Sequence, residues 1–270
     1  MKILSLAKLT LRRMLFENGI LINKADQVDA LRKFMHSVQP MATQFELIRV
    51  GSDGDGGYLV PDDLIGIGPC FSPGVSSSAN FELDLARRGI RSFLADYSVD
   101  SAPVENPLLS FRKKFLGPVD DEVYIRLSTW VEECAGDSND LILQMDIEGD
   151  EYTVFLDSDD DLLRRFRIIV VEFHALDHLA DKFSAQFVKM VFDKLLRLFE
   201  VVHIHPNNCC TPYVYKGVEV PPVLEFTFLR KDRALARTPI SSFPHPLDRA
   251  NVAAQPDFPL PACWYEVRPS

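Results

Sequence analysis

A chain of 270 residues with 47% hydrophobic composition has enough apolar material for a sizeable core and is expected to form one domain with extensions. Its formal net charge of -10 argues against the phosphate backbone of DNA or RNA as a partner. The five cysteines, Cys70, Cys134, Cys209, Cys210 and Cys263, contain no CxxC pair, which disfavours a disulfide framework and points to a reducing, cytoplasmic setting.

Residues 1 to 40 are expected to be helical, with a second helix in VDALRKFMHSV and a stop at Pro40. The opening MKILSLAKLTLRRMLF is interrupted by Lys8, Arg12 and Arg13, so it has neither a signal-peptide apolar core nor a transmembrane segment. Two readings of this basic, amphipathic stretch follow: a helix packed on the domain, which is favoured, and a weak peripheral contact with membrane. FELIRVGSDGDGGYLVPDDL then reads as a hairpin or tight loop. Its Asp-Gly-Asp-Gly-Gly at 53 to 57 has half of a calcium loop's pattern, but the distal glutamate is missing and a turn is the better reading.

From about residue 68, short apolar runs alternate with helical stretches, the pattern of βαβ units and a mainly parallel sheet. Strands are expected near 68–72, 91–96, 140–146, 167–173, 199–204 and 223–230. The clearest helix is KFSAQFVKMVFDKLLRLF, whose Phe183, Phe187, Val188, Val191, Phe192, Leu195, Leu196 and Phe199 predict a core face. The proline-rich chain after Asp232 should wrap the domain without regular structure. The resulting division is a helical extension over 1–47, a main domain over 48–232 and a tail over 233–270.

Two stretches carry chemistry. In GPCFSPGVSSSANFELDLARRGIRSFLADY, a strand leads into a small-residue loop, a helix, another strand and an acid. Gly74 and the serines from Ser76 to Ser78 let a ligand approach the backbone, and Asp96, 22 residues after Gly74, has the spacing of a ribose-binding carboxylate. Only one glycine remains of a dinucleotide fingerprint, which disfavours a pyrophosphate and is tolerated by S-adenosylmethionine. In LILQMDIEGDEYTVF, at 141 to 155, a buried strand runs into Asp146, Glu148, Asp150 and Glu151, placing Asp146 where open α/β sheets bind ligands. Glu172 and His174 follow the next apolar strand, and His203, His205, Asn207 and Asn208 belong to a later one.

The DIEGDE run resembles the DIEGxE signature of the FkbM-like S-adenosylmethionine-dependent methyltransferases. VGSDGDGGYLVPDDL, FSPGVSSSANFELDLARRG, VVEFH and VVHIHPNN agree with it, over roughly residues 48 to 232. The resemblance implies an α/β, Rossmann-like class I methyltransferase fold with seven strands, mainly parallel, the last, VLEFTFLR, antiparallel. It further implies that Ser72, Gly74 and Ser76 approach the methionine part of the cofactor, with Glu82 on the helix behind. Asp96 would bind ribose, Tyr97, Ser128 and Thr129 would lie near adenine, and Asp146 and Glu148 would line the boundary with the acceptor.

The expected activity is O-methylation, with a sugar hydroxyl of a glycan or glycosylated metabolite as acceptor on family analogy. His174 or His205, with Asp146, supplies a general base, or Asp146, Glu172 and His174 hold a magnesium or manganese ion. Two rivals stand beside this: a metal-dependent hydrolase built on Asp146, Glu172, His174 and His205, and a non-catalytic partner module of the same fold. Other features have plain readings. His203 is a candidate sheet histidine, Asn207 and Asn208 a turn, and Asp157 with Asp159 to Asp161 a helix start. Cys209 and Cys210 suit a turn with two buried thiols, and Trp130 and Trp264 a core or lid.

Overall fold

The computed structural model describes residues 2–20 and 24–266, and side chains from Lys8 onward. Helices α1 (Lys2–Glu17) and α2 (Val28–Ser37) come first. The two-residue strand β1 (Met41–Ala42) precedes an antiparallel hairpin of β2 (Leu47–Gly51) and β3 (Gly57–Pro61). Its Asp/Gly connection is a turn, because the Arg49 guanidinium occupies the concave side, donating to the carbonyls of Ser52 at 2.7 Å and Gly54 at 2.8 Å. Oxygens that would face a calcium ion face a cation of the chain instead.

The chain continues through β4 (Cys70–Pro73), α3 (Asn80–Arg87), β5 (Ser92–Ala95), β6 (Leu109–Arg112) and the short pair β7 (Phe115–Leu116) and β8 (Tyr124–Ile125). Next come α4 (Leu127–Ala135), β9 (Leu141–Met145), α5 (Glu151–Asp157), α6 (Asp160–Arg164) and β10 (Phe166–Phe173). Asp159 caps α6 by accepting the Leu162 N–H at 2.7 Å, as the run of aspartates suggested. The last segments are α7 (Ser184–Leu198), β11 (Phe199–Pro206), the hairpin β12 (Tyr213–Tyr215) and β13 (Val218–Val220), β14 (Leu224–Arg230) and β15 (Thr238–Pro239).

Seven strands form one sheet in the order β11-β14-β10-β9-β4-β5-β6. All run one way except β14, which is antiparallel to β10 and β11. The apolar runs in β9 and β10 are continuous because both faces of these central strands are covered, and every residue of both is buried. One face carries Phe71, Leu143, Ile169, Val171 and Phe173 against α2, α4 and α7; the other carries Cys70, Ile142, Ile168 and Val170 against α3 and the β2/β3 hairpin. The chain builds outward from β4 to β6, then returns to β9 on the other side of β4. That reversal opens a crevice between the carboxyl ends of β4 and β9.

All six expected strands are present, together with β6, a half-buried edge strand whose Leu-Ser-Phe-Arg has neither alternation nor an apolar run. The α7 face is narrower than expected. Val188, Val191, Phe192 and Leu195 are buried, whereas Phe183 and Phe187 pack on each other in solvent with ring centroids 5.1 Å apart. The α1 helix also departs from the favoured reading: every side chain from Lys8 to Ile20 is exposed except Leu15, which is half-buried. By contrast α2 and the tail share the core of the sheet through Leu31, Phe34, Met35, Leu260 and Trp264. Trp130 and Trp264 are both core residues, and the Trp264 indole N–H donates to the Glu219 carbonyl at 3.0 Å. No helix among the described residues is long and apolar enough to cross a membrane.

Candidate active site

The crevice holds a cavity of about 620 Å³, bounded by the loops that follow β4, β5 and β9. Gly74 makes it possible. Its φ is +87°, and a Cβ there would collide with the Asp146 carbonyl, so the loop after β4 lies backbone against backbone on the end of β9. The loop then turns through Ser76 at φ +43°, whose N–H donates to Asp96 at 2.9 Å. The other Asp96 oxygen accepts the Ser98 N–H at 2.8 Å and its hydroxyl at 2.7 Å. Asp96 therefore ties two loops together while lining the cavity.

Behind the loop, Ser72 does not reach the cavity surface; its hydroxyl bridges Glu82 and Gln144. A hydroxyl has one hydrogen, and burial raises the Glu82 carboxyl above its ordinary range against the opposing Ser72 bond. A protonated Glu82 donating to Ser72, with Ser72 donating to the Gln144 carbonyl oxygen, satisfies the chain of contacts. The aromatic wall comes from residues that periodicity does not mark, Phe115, Leu116 and Tyr124 on β7 and β8. Tyr97 stands outside the lining with its ring 5.4 Å from Phe115. Ser128 and Thr129 are also outside it, on α4, and the Thr129 hydroxyl donates to Asp120 at 2.8 Å.

At the other end of the cavity the DIEGDE turn is built around Glu151. This fully buried carboxylate accepts the N–H groups of Ile147 at 3.2 Å and Gly149 at 3.1 Å, which fold the turn back over it. Glu148 and Gly149 adopt φ of +59° and +112° in doing so. The same Glu151 oxygen meets His174 Nδ1 at 3.1 Å, and the Tyr152 hydroxyl donates to the His174 carbonyl at 2.7 Å. His174 is thus held by one nitrogen while Nε2 faces Glu148 at 3.5 Å, Glu172 at 3.6 Å and Asp146 at 3.9 Å.

Those three separations exceed hydrogen-bond length. Asp146 Oδ1 and Glu172 Oε2 are buried without a hydrogen-bond partner, and Asn207 donates to the other Glu172 oxygen at 3.0 Å. Burial, resisted by His174 and reinforced by Glu148 and Glu151, pushes the Asp146 carboxyl up to about 7. Burial and the neighbouring Asp146 and Glu225 carboxylates hold Glu172 well above the usual range. Burial disfavours a charged His174, yet the Glu151 bond and the surrounding carboxylates outweigh it and raise its pKa. Asp146, Glu148 and His174 have ligand atoms close enough together to share a metal ion, with Glu172 beside them. Asp146, Glu172 and His174 are therefore brought together as the sequence suggested, and Glu148 joins them.

His205 lies elsewhere. Both His203 and His205 are buried under the tail: His203 Nε2 meets Asp248 at 2.8 Å, and His205 Nε2 meets the Arg249 carbonyl at 2.9 Å. None of Glu172, His174 and His205 is among the cavity-lining residues, but Glu172 and His174 stand against Asp146 at the cavity's edge whereas His205 is bonded to the tail, so a four-residue hydrolase cluster does not assemble. Asn208 likewise anchors the tail, donating to Val252 and Gln255 carbonyls at 3.0 and 3.3 Å. Cys209 is half-buried and Cys210 exposed, so the two thiols do not form the buried pair expected.

Comparison with known families bears on the second half of this site. Residues 108–201 match the methyltransferase FkbM domain. The match runs from just before β6 into β11 and takes in Asp146, Glu148, Glu151, Glu172 and His174, so the likeness drawn from the DIEGDE turn is borne out over that stretch. It begins after Gly74 and Asp96. No curated protein matches the chain.

Proposed function

We propose that the protein is an S-adenosylmethionine-dependent O-methyltransferase acting on a sugar hydroxyl, with the cofactor in the crevice between β4 and β9 and the acceptor beside Asp146 and His174. One observation carries the choice of cofactor. The cavity is lined by six carboxyl side chains, Asp55, Glu82, Asp96, Asp146, Glu148 and Asp150, with no Lys, Arg or His among its described lining residues. Such a wall repels a pyrophosphate and suits a ligand bearing a sulfonium and an ammonium.

The cavity size falls within the range of small-molecule sites. Gly74 keeps its floor open, Asp96 retains acceptor capacity for ribose hydroxyls, and Phe115 with Tyr124 offers flat apolar surface to a base. S-adenosylmethionine supplies an electrophilic methyl group. The chain's contribution is alignment and proton removal. Asp146, with its carboxyl near 7, and His174, fixed by Glu151, share the proton economy at the mouth; whichever of the two is unprotonated takes the hydroxyl proton of the acceptor.

A divalent ion is a part of this proposal that the donor set supports. Hard oxygens from Asp146, Glu148 and Glu172 with one imidazole nitrogen suit magnesium or manganese, whose adjacent ligands sit about 3 Å apart. Glu151 orients His174 from behind, as carboxylates orient metal-bound histidines. The ion would acidify the acceptor hydroxyl and relieve the unpaired oxygens of Asp146 and Glu172. The acidic mouth also favours a neutral acceptor such as a sugar over an anionic one, and the family resemblance points the same way.

Calorimetric titration of chelator-treated protein with S-adenosylmethionine, S-adenosylhomocysteine and NAD, with and without magnesium, tests the reading. Binding of the two sulfur nucleosides alone is expected. Binding of NAD in their place, or of no nucleoside under any condition, would remove the methyltransferase assignment.

A further inference from the structure

Two apolar surfaces expected to be covered, α1 on the domain and Phe183 with Phe187 in the core, are in solvent. On α1, Leu9, Leu11, Met14 and Phe16 are exposed, Phe16 at 67%, and Ile20 follows them. Phe183 at 64%, which caps the start of α7, forms an exposed apolar strip with Phe187 and Met190 at i, i+4 and i+7. The segment that resumes at Lys24 after α1 is bonded to the start of that strip. The Lys182 N–H donates to the Lys24 carbonyl at 2.9 Å, the Asp26 N–H donates to the Ala180 carbonyl at 2.8 Å, and Ala25 bridges Asp181.

Charge says what kind of surface would cover them. Within Lys2–Glu17, four cations, Lys2, Lys8, Arg12 and Arg13, stand against the single anion Glu17, a formal charge of +3 inside a chain of -10. Arg13 pairs with Glu17 at 2.8 Å, whereas Lys8 and Arg12 have no ion pair among the described residues. Lys24 and Lys182, both exposed, add positive charge beside Phe183. We propose that α1 and the Phe183–Phe187–Met190 strip form a docking face for an anionic lipid surface. Exposed leucine, methionine and phenylalanine enter the boundary between headgroups and acyl chains while the cations meet lipid phosphates.

A nucleic-acid backbone would use the cations and leave the apolar side chains in water. The same face of a second copy would bring like charges together. The proposal stands apart from the methyl-transfer reading and neither requires it nor supports it.

Co-flotation of the full chain with vesicles decides it, comparing phosphatidylcholine alone with phosphatidylcholine containing about 30% phosphatidylserine. Binding to the anionic vesicles is expected, with loss in high salt and a drop of at least about tenfold for R12E/R13E. The pair L11D/M14D should abolish binding, and F183S/F187S should reduce it. Each variant changes exposed side chains, so unchanged thermal unfolding and an unchanged circular dichroism spectrum identify a surface effect. Absence of co-flotation would overturn the proposal, as would equal binding to neutral vesicles. A concentration-dependent dimer that R12E/R13E dissolves, in protein that ignores vesicles, would overturn it in favour of a contact between copies.

Discussion

Two histidine–carboxylate assemblies are built on this sheet, one at the ends of β9 and β10 and one on β11, and they differ in how completely their carboxylates are bonded, although His203 Nδ1 and His205 Nδ1 are themselves buried without a hydrogen-bond partner. On β11 a single carboxylate serves two histidines. Asp248 meets His203 at 2.8 Å and His205 at 3.7 Å, accepts the His245 N–H at 2.8 Å, and is buried with both rings. At the DIEGDE turn the ratio is inverted: one histidine is surrounded by Asp146, Glu148, Glu151 and Glu172, and only Glu151 comes within hydrogen-bond distance. The first arrangement fastens the tail to the sheet. The second leaves Asp146 and Glu172 with unpaired oxygens, and its Asp146 and Glu148 line the cavity, which is what a reactive or ion-binding group requires.

Removing the histidine from one assembly and the carboxylate from the other should therefore do different things. His174→Ala is expected to lower kcat by about 10²- to 10⁴-fold, the range of a lost general base, with little change in cofactor affinity. Steady-state kinetics beside calorimetry would check it, and parallel loss of both quantities would place His174 in the cofactor site. Asp248→Ala should act on stability, costing about 3–5 kcal/mol because two buried imidazoles lose their carboxylate. Urea unfolding followed by tryptophan fluorescence would register it, since Trp264 of the same tail is buried in the core. A change in turnover without a change in the urea midpoint would reverse the roles assigned to the two assemblies.

A milder effect is expected at the first loop. Asp96→Ala should weaken S-adenosylmethionine binding by about 10- to 100-fold, the worth of hydrogen bonds to a charged acceptor. Because Asp96 also accepts from Ser76 with one oxygen and from Ser98 with the other, Asp96→Asn is the informative companion: it keeps an acceptor for one of the two loops and lacks the charge. Unchanged affinity in both folded variants would move the ribose contact away from Asp96.

The sheet was legible because its central strands are wholly buried and so read as unbroken apolar runs, and the order of loop, acid and second acid along the chain located the crevice. The edge strand β6 was not, since a half-exposed tetrapeptide carries no period. The Asp146, Glu172 and His174 group was visible because each residue ends a strong strand. The separate place of His205 was invisible: its partner, Arg249, is 44 residues away in a tail whose path composition does not dictate. Tyr97 was expected beside adenine on adjacency to Asp96, yet the cavity wall is Phe115, Leu116 and Tyr124 from two strands of two residues each. The α7 face was overestimated at its start, because a helical stripe extends past the point where the core ends. Local pattern fixes what an element buries in its middle, and tertiary contact decides its ends.

The most direct comparison of the two assemblies is their response to pH. The Asp146 carboxyl lies near 7 in the fold, against an ordinary 3.8. Between those values the folded protein holds more protons than the unfolded chain, so Asp146 costs increasing stability as pH rises from about 4 to 7. Asp146→Asn removes that cost, and the stability of the variant should gain on the parent across this window and no further above it. The tail assembly has the opposite sense. His205, raised to about 9 as the Asp248 contact and Glu225 overcome burial, contributes stability that is complete below its ordinary 6.5 and lost as pH climbs through 9. Asp248, held below its ordinary 3.8 by His203 and His205 against the effect of burial, contributes stability present above 3.8 and lost only in stronger acid. His203, lowered by burial despite its Asp248 bond, subtracts stability as pH falls below 6.5. Urea midpoints for parent, Asp146→Asn and Asp248→Asn at about pH 5, 7 and 9.5 separate these contributions. Parallel curves for parent and Asp146→Asn from pH 5 to 7 would mean that Asp146 is ionised throughout, and the contrast between a satisfied and an unsatisfied carboxylate would then rest on geometry without a titration to match.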